Sequence, residues 1–569
     1  MTKRANTQIV KAVPLGGHGE IGKNCWLFEY NDAIIIVNFG FMLPQQDAAG
    51  IDLVLPNTNY LKENESKIKG LILTSAHDDS AGGVFYLLQK VNIPKIWGSK
   101  LALTWIENTL PKNLKMPEKE ELKARSEFTI QEGFTITPFC NTSTLMDTYG
   151  LSIRTPAGNI IYTGPYKIDQ TPPDKVCFDC FSYAQAGESG VDLLISDSTN
   201  LENRGYTQTE KAITKRFDDI LREAPSRIII VGYASNLHKY QIIFNLAKKH
   251  NKKVLLVGEH LIHKIQAGVK ADFIKIEKGI LIDKKDSKAI KDSELVIIAS
   301  GKHGNFLNAL TELAKQTHKE IELKQKDTIV ISANPPHGTV RTIAHIIDQF
   351  FIQKVQVIGG RGQGVHVPGH ASQEEMKFML NITKPRAFVP SIGEERHMVL
   401  AEQFAEIMGI SANDIHIIKK GEVIEIRDKT ARVAGRIPAE SIYYNLAKNI
   451  DIDEVTMKER QTLAEEGTIT VALTLDQDRN IIAGPEIFAD GCSFAKGKDW
   501  RAFCLGAIEQ IKVTIDEANK EKDKEEKDLA TYKTLVRDTV NKNVLELISK
   551  RPLISVSIQE ANLATSNKQ

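Results

Sequence analysis

The feature that most constrains the fold is a change in hydrophobic patterning near residue 207. Residues 8–200 alternate short runs of β-branched and aromatic residues, such as AIIIVNFG and NIIYTG, with Gly, Asn and Asp turns. Many strands at such short spacing are typical of packed β-sheets. From residue 207 onwards, helical segments such as TQTEKAITKRFDDILREA alternate with strands such as RIIIVGYA. That alternation predicts an α/β unit built on a parallel sheet.

The chain beyond residue 355 returns to a mixed pattern. Residues 372–426 predict a helix, a strand, another helix and two short strands. Residues 441–465 are polar and predict a linker. The remainder, from residue 466, predicts the element order β-β-α-α-β.

Length, composition and charge narrow the class of protein. A chain of 569 residues is too long for one ordinary core, and 42% hydrophobic with 25% charged residues is typical of a soluble globular protein. The net charge of +1 excludes an overall basic field, so any nucleic-acid binding must use a local groove. The start, MTKRANTQIVKAVPL, lacks the apolar run of a signal peptide. Together with six scattered cysteines, this predicts a cytoplasmic, reduced protein without membrane contact.

The stretch LILTSAHDDSAGG, residues 71–83, predicts a strand, a loop and the start of a helix. Its loop contains His77, Asp78 and Asp79, and imidazole combined with carboxylate is a common metal-binding set. Ser75 and Ser80 flank the single histidine. The loop alone leaves open whether it is a metal site or the remains of one.

Several long motifs, in order, resemble the bacterial ribonuclease J family. They are GGHGEIGKN, GIDLVLPN, SDSTNLENRGYT, YASNLHKYQ, VHVPGHASQEE and the C-terminal GPEIFADG. The resemblance implies an α/β chain: a metallo-β-lactamase αββα sandwich with an inserted parallel-sheet β-CASP domain and a small C-terminal α/β domain. The implied segments are the first part of the metallo-β-lactamase domain (1–206), the β-CASP domain (207–355), the second part of the metallo-β-lactamase domain (356–440), a linker (441–465) and an oligomerisation domain (466–569).

The resemblance also implies a dizinc site that hydrolyses RNA from the 5′ end and internally. The family's metal loop reads T-H-x-H-x-D-H, and the corresponding stretch here retains His77 and Asp79. Asn38 occupies the position of a supporting family aspartate. The other ligand positions of the family are occupied here by Ser75, Ser80, Ser143, Pro165 and Ile392.

These replacements decide how much metal the site can hold. Two divalent ions a few ångströms apart must be neutralised by a ring of imidazoles and carboxylates. Hydroxyl, proline and isoleucine side chains supply neither charge nor a nitrogen donor, so a zinc or manganese ion at His77 and Asp79 would be weakly held. We therefore expect a vestigial site in which His77 hydrogen-bonds to Asp79. A rearranged site would need new ligands, for which Asp78, Asp147 and His18 are the candidates.

The β-CASP motifs depart less from the family. Imidazole N–H groups and a helix N-terminus both bind phosphate oxygens, and VHVPGHAS places two histidines before a predicted helix. Pro368 stands where the family has a serine. Asp197 matches a family acid near the site, and Lys239 and Arg361 are candidate groove cations. The predicted RNA phosphate-binding set is His366, His370, Ser372, Lys302 and Ser332.

Three functions remain open from the sequence. The first is a catalytically impaired RNA-binding subunit or regulator of an active ribonuclease J, acting in RNA processing and decay. The second is an active metal-dependent 5′–3′ exoribonuclease or endoribonuclease with a rearranged or single-metal site. The third is a structural scaffold without RNA contact. The predicted partners are single-stranded RNA with its 5′ end and a ribonuclease J paralogue, in a homo- or hetero-oligomer.

Overall fold

The computed structural model describes seven stretches of the chain. The protein divides into two compact units at residue 450. No helix in the described part is long and apolar enough to cross a membrane. The described stretches are residues 8–44, 50–130, 133–335, 338–360, 362–520, 528–548 and 551–561.

Among the described residues of 8–206, strands outnumber helices, as the dense β-branched runs predict. The strands are β1 (Ile9–Gly16), β2 (Cys25–Tyr30), β3 (Ala33–Val37), β4 (Leu53–Leu55), β5 (Ile68–Leu73), β6 (Lys95–Gly98), β7 (Glu118–Glu121), β8 (Phe128–Ile130), β9 (Phe134–Asn141), β10 (Thr148–Thr155), β11 (Gly158–Tyr162) and β12 (Leu193–Asp197). The helices are α1 (Asn59–Glu63), α2 (Asp78–Ala81), α3 (Val84–Lys90), α4 (Lys100–Thr109) and α5 (Cys180–Ser189).

The next part of the chain alternates helix and strand. Its sheet is parallel throughout, in the order β14-β15-β13-β16-β17, which confirms the predicted parallel α/β unit. Helices cover both faces, because Ile228 and Ile230 point into one core and Ile229 and Val231 into another. The elements are α6 (Ile213–Glu223), β13 (Ile228–Val231), α7 (Leu237–Lys249), β14 (Lys253–Val257), α8 (Glu259–Lys270), α9 (Lys284–Ser287), β15 (Leu295–Ala299), α10 (Phe306–Ala314), β16 (Thr328–Ile331), α11 (Val340–Ile352) and β17 (Gln356–Gly359).

The chain then returns to the sheets of its first part. Strand β18 pairs in parallel with β12, and β19 pairs antiparallel with β1. The unit between residues 207 and 360 is therefore an insertion in a fold that the later residues complete. The elements are α12 (Gln373–Thr383), β18 (Ala387–Ser391), α13 (Glu395–Ile407), β19 (Glu422–Arg427), β20 (Thr430–Arg436), β21 (Ile442–Asn445) and β22 (Ile450–Ile452).

Two large sheets pack face to face between layers of helices. Their orders are β20-β19-β1-β2-β3-β5-β6-β7 and β18-β12-β11-β10-β9-β8. Buried side chains of both sheets, among them Trp26, Ile35, Ile153 and Val389, form the core between them. Helices α3 and α4 cover the outer face of one sheet, and α12 and α13 cover the other. This is the predicted αββα sandwich.

The second unit has its own small core. Helix α15 packs against that core through buried residues at helical spacing, from Phe503 to Ala518. The sheet order β24-β23-β25 and the chain order confirm the predicted β-β-α-α-β arrangement. The elements are α14 (Glu454–Glu466), β23 (Thr468–Leu475), β24 (Ile481–Asp490), α15 (Gly497–Lys520), α16 (Leu529–Ile548) and β25 (Leu553–Glu560).

The segment predicted as a linker, residues 441–465, contains regular structure. It includes β21 and most of α14. Helix α14 buries none of its residues, and its sequence has no apolar stripe at helical spacing. Because that stripe is the pattern from which a helix is predicted, α14 was not predicted. The chain divides into compact units at residue 450. The predicted boundaries at residues 206, 355 and 440 stay predictions.

Candidate functional site

A cleft opens where loops from both large sheets meet the loop before α12. Thr74 follows β5, Ser143 follows β9 and Pro165 follows β11, so strand ends of both sheets converge there. A concave site with convergent polar groups is the expected place for binding. The cleft has about 360 Å³ of space, including the open solvent at its mouth, and is lined by Thr74, Ser75, His77, Asp79, Ser143, Thr144, Thr148, Tyr149, Pro165, Gly369 and His370.

His77 and Asp79, the two retained ligand positions, are engaged with each other. His77 Nδ1 lies 2.8 Å from Asp79 Oδ1, the contact predicted for a vestigial site. Ser80 Oγ donates to the same oxygen at 2.8 Å. Burial favours the neutral imidazole, but the Asp79 carboxylate raises the pKa of His77 above its usual value. A metal ion bound through Nδ1 or Oδ1 would have to break these contacts.

Two of the replaced ligand positions carry serines whose hydroxyls hold the local turns. Ser75 Oγ accepts from the His77 amide at 3.1 Å, and Ser143 Oγ accepts from the Leu145 amide at 3.2 Å. This is the common behaviour of serine two residues before a backbone N–H. Both serines line the cleft, yet each hydroxyl is neutral and already serves the backbone.

Ile392, another replaced position, does not line the cleft. It is 1% exposed and has a φ of 51°, which is uncommon for a β-branched residue. Its amide donates to Gly17 O at 2.7 Å, and its carbonyl accepts from Thr199 Oγ1. Backbone contacts on both sides therefore fix this conformation against the preference of isoleucine.

Asn38 occupies the position of the family's supporting aspartate with a neutral amide side chain. Its Oδ1 accepts from the Thr74 amide at 2.9 Å and from Thr74 Oγ1 at 3.0 Å. Its Nδ2 donates to the Tyr162 hydroxyl at 3.2 Å. The start of the loop is thus held without the charge of an aspartate.

The three candidates for a rearranged metal site face elsewhere. Asp78 Oδ1 lies 2.9 Å from both His260 Nε2 and Lys264 Nζ, which belong to α8. Asp147 accepts from the Leu101 amide at 2.8 Å. His18 is 2% exposed beside Trp26, and burial lowers its pKa to about 3.

The donors in and around the cleft do not form a metal-binding set. Across the described stretches, no three His, Cys, Asp or Glu side chains are grouped so that they could hold a metal ion. Two zinc ions need more imidazoles and carboxylates than the His77–Asp79 pair offers. The residues present therefore do not fit the dizinc centre that the family resemblance implies.

His370 enters the same cleft from the loop before α12. Its Nδ1 lies 2.7 Å from Oδ2 of Asp197, a fully buried carboxylate. Burial alone would lower the pKa of His370, but Asp197 raises it above the usual value. Asp197 Oδ1 also accepts from the Thr199 amide at 3.0 Å, so the acid both orients the imidazole and caps the following turn.

His366, on the same loop, is held differently. Its Nδ1 is buried and has no hydrogen-bond partner among the described residues. Burial lowers its pKa well below the usual value, and the charges of Lys239 and Lys167 lower it further. His366 is thus a neutral imidazole near the side chains of Lys167 and Lys239, with one buried nitrogen that no described residue contacts by a hydrogen bond.

Of the five predicted phosphate-binding residues, His370 alone lines the cleft. Ser332 Oγ donates to Val365 O at 2.6 Å, and Ser372 Oγ accepts from Asn200 Nδ2 at 3.0 Å. These buried hydroxyls hold the histidine loop and the start of α12. Lys302 is exposed and pairs with Asp52. Arg361 lies outside the described residues.

A buried charge cluster beneath the histidine loop was missed by sequence reasoning. Lys167 Nζ lies 2.7 Å from Glu210 Oε1, with side chains 0% and 1% exposed. Lys167 also donates to Pro368 O at 3.3 Å. Burial lowers the pKa of Lys239 to about 7, while Glu210 opposes this. Lys167 lies in the stretch TGPYKID, two residues after Pro165. That stretch was used only to assign Pro165 to a ligand position, although a lysine within an otherwise apolar stretch could have indicated a buried charge.

Comparisons with known proteins agree with the architecture. The chain matches the models "Metallo-beta-lactamase superfamily" over residues 18–164, "Ribonuclease J, beta-CASP domain" over 225–350 and "Ribonuclease J C-terminal domain" over 455–561. A crystal structure of a protein of unknown function from Enterococcus faecalis has the same fold at a TM-score of 0.50 and 14% identity, covering 74% of this chain and 100% of that one.

Curated relatives match over most of their length. The chain is 37% identical to Ribonuclease J of Synechocystis sp. over 493 residues, which covers 86% of this chain and 77% of that protein. It is 33% identical to Ribonuclease J2 of Bacillus subtilis over 561 residues, which covers 98% of this chain and 100% of that protein. The chain therefore belongs to the ribonuclease J family.

Proposed function

We propose that the chain is a catalytically impaired, RNA-binding member of the ribonuclease J family. It acts in RNA processing and decay, in the cytoplasm, as a subunit or regulator of an active ribonuclease J. The observation that carries the proposal is the composition of the cleft. Serine and proline line it where the family has metal ligands, and the retained His77 and Asp79 bind each other.

The histidine loop supports retained RNA binding. His366 is partly exposed on the loop before α12, and an imidazole N–H on its open side can donate to a phosphate oxygen. Lys167 pairs with Glu210, and Lys239, which donates to Ser332 O, adds positive charge next to His366 in its protonated form. Asp197 raises the pKa of His370, which favours a cationic imidazole at the cleft. Single-stranded RNA, read through its phosphates, fits these groups.

We expect His366→Gln/His370→Gln to weaken binding of a 5′-monophosphorylated single-stranded RNA by about 100-fold or more. The reason is the loss of hydrogen bonds to charged phosphate, each worth about 1.5–3 kcal/mol. Fluorescence anisotropy in the presence of a metal chelator measures the dissociation constant. His263→Gln, a partly exposed histidine on α8, is the matched control and should leave binding unchanged.

Two results would contradict the proposal, and they differ. Unchanged RNA binding in the double variant, or no RNA binding by the wild type, would favour the scaffold function. Degradation of the RNA in zinc or manganese, abolished by His77→Ala, would show an active enzyme instead.

A further inference from the structure

The segment between β12 and α6 exposes alternate side chains beside the histidine loop. From residue 204 to residue 208, every second side chain is exposed and those between are half-buried. Tyr206 is 62% exposed and is the only large apolar side chain exposed between residues 198 and 212, a range that the structure describes completely. The exposed side chains form a row, called the rim stripe, of Arg204, Tyr206 and Gln208.

Hydrogen bonds fix the backbone on both sides of Tyr206. Gly205 O accepts from the Glu374 amide, at the start of α12, at 3.2 Å. Thr207 Oγ1 donates to His370 O at 2.8 Å, which joins the rim stripe to a residue that lines the cleft. The ring of Tyr206 therefore lies at the rim of the cleft on a backbone that is already ordered, so a contact with it costs little conformational entropy.

The other end of the rim stripe is joined to the buried charge cluster. Lys167 Nζ donates to Gln208 O at 3.1 Å and to Pro368 O, on the histidine loop, at 3.3 Å. One buried lysine thus holds the rim stripe and the histidine loop together. The rim stripe therefore lies directly beside the loop whose histidines are proposed to bind phosphate.

The rim stripe carries positive charge. Arg204 is exposed and pairs with no side chain of the described residues. The nearest acid in sequence, Glu202, is engaged instead by Arg396, whose Nε lies 3.1 Å from Glu202 Oε1. An unpaired guanidinium group beside an exposed aromatic ring is a combination that holds a phosphate and a base of single-stranded nucleic acid.

We propose that the rim stripe is a base-stacking platform for single-stranded RNA next to the cleft. The inference rests on the proposed function and deepens it: the histidines contact phosphates, while Tyr206 stacks on one nucleobase and Arg204 holds an adjacent phosphate. Every base has a π-face, so such stacking tolerates any sequence. A protein partner fits less well, because one exposed aromatic ring provides little of the apolar centre that a protein interface has.

Variants of Tyr206 test the stacking. Fluorescence anisotropy is measured with full-length protein, a 5′-monophosphorylated single-stranded RNA and a metal chelator. Tyr206→Ala should raise the dissociation constant about 5- to 150-fold, which corresponds to the loss of one base–aromatic stack. Tyr206→Phe keeps the ring and should bind as the wild type does. Phe181→Ala removes an exposed aromatic ring from α5 and is the matched control, which should leave binding unchanged.

RNA that lacks single bases shows whether the ring contacts a base. An abasic site is moved stepwise from the 5′ end, and it should weaken binding to the wild type at the position that stacks on Tyr206. At that position the abasic site should cost the Tyr206→Ala variant nothing. Unchanged affinity of Tyr206→Ala, or the same positional loss in both proteins, would overturn the stacking proposal alone, because the wild type would still bind RNA. Absence of RNA binding by the wild type would overturn the proposed function as well.

Discussion

Restoring the five replaced ligands should convert the cleft into a zinc site. We expect Ser75→His/Ser80→His/Ser143→His/Pro165→Asp/Ile392→His to bind about two zinc ions per chain, as the family's dizinc site implies, and at least ~100-fold more tightly than the wild type binds any. Removing one hydrogen-bonding partner of a metal ligand typically costs 10- to 100-fold in metal affinity, so adding five direct ligands must exceed that. The backbone at Ile392 favours the change, since histidine adopts a φ near 51° more readily than isoleucine.

Isothermal titration with zinc measures the stoichiometry and affinity of the restored variant. The control carries alanine at the same five positions, which makes the same number of changes without adding a ligand. Circular dichroism verifies that both variants are folded. A folded histidine–aspartate variant that binds no more zinc than the alanine variant would show that something other than the missing ligands prevents metal binding.

Breaking the buried charge cluster should destabilise the first unit strongly. Glu210→Gln removes the carboxylate that pairs with the buried ammonium group of Lys167 and that raises the pKa of the nearby Lys239. We expect a loss of about 3–5 kcal/mol in the free energy of unfolding, because an unpaired buried charge remains. Burial raises the pKa of Glu210 even beside Lys167, so burying the pair costs free energy. Each charge is tolerated because the other neutralises it.

Chemical denaturation of the variants tests this prediction. Lys167→Met/Glu210→Leu should lose less than the sum of its two single variants, by about 1–3 kcal/mol, because neither charge is then left alone. Arg222→Ala breaks an exposed pair with Asp219 on α6 and should cost less than about 1 kcal/mol. Equal effects of Glu210→Gln and Arg222→Ala would contradict the prediction that Glu210→Gln leaves an unpaired buried charge.

Much of the fold follows from local patterning. The dense strands of the sandwich and the helix–strand alternation of the inserted unit are visible because each buried face repeats at a period of two or 3.6 residues. The insertion itself is not visible that way. It depends on β18 pairing with β12 and β19 with β1, contacts between residues far apart in sequence. Family motifs, rather than periodicity, indicated it.

The candidate site was only partly predictable. The His77–Asp79 contact was expected, because two side chains that lie two residues apart in one short loop can contact each other whatever the rest of the fold is. The His370–Asp197 contact and the Lys167–Glu210 pair join distant segments, so their geometry needed the structure. Ser332 and Ser372 illustrate the converse, because their hydroxyls hydrogen-bond to Val365 O and Asn200 Nδ2, distant residues that the sequence does not identify as partners.

The most direct test of the account is the metal content of the wild-type protein. Inductively coupled plasma mass spectrometry is applied to full-length protein purified without a metal-binding tag, before and after reconstitution with zinc or manganese. We expect well under one tightly bound ion per chain in both cases. About two tightly bound ions per chain would contradict it, because the cleft would then hold a dimetal centre through residues other than those that the structure places there.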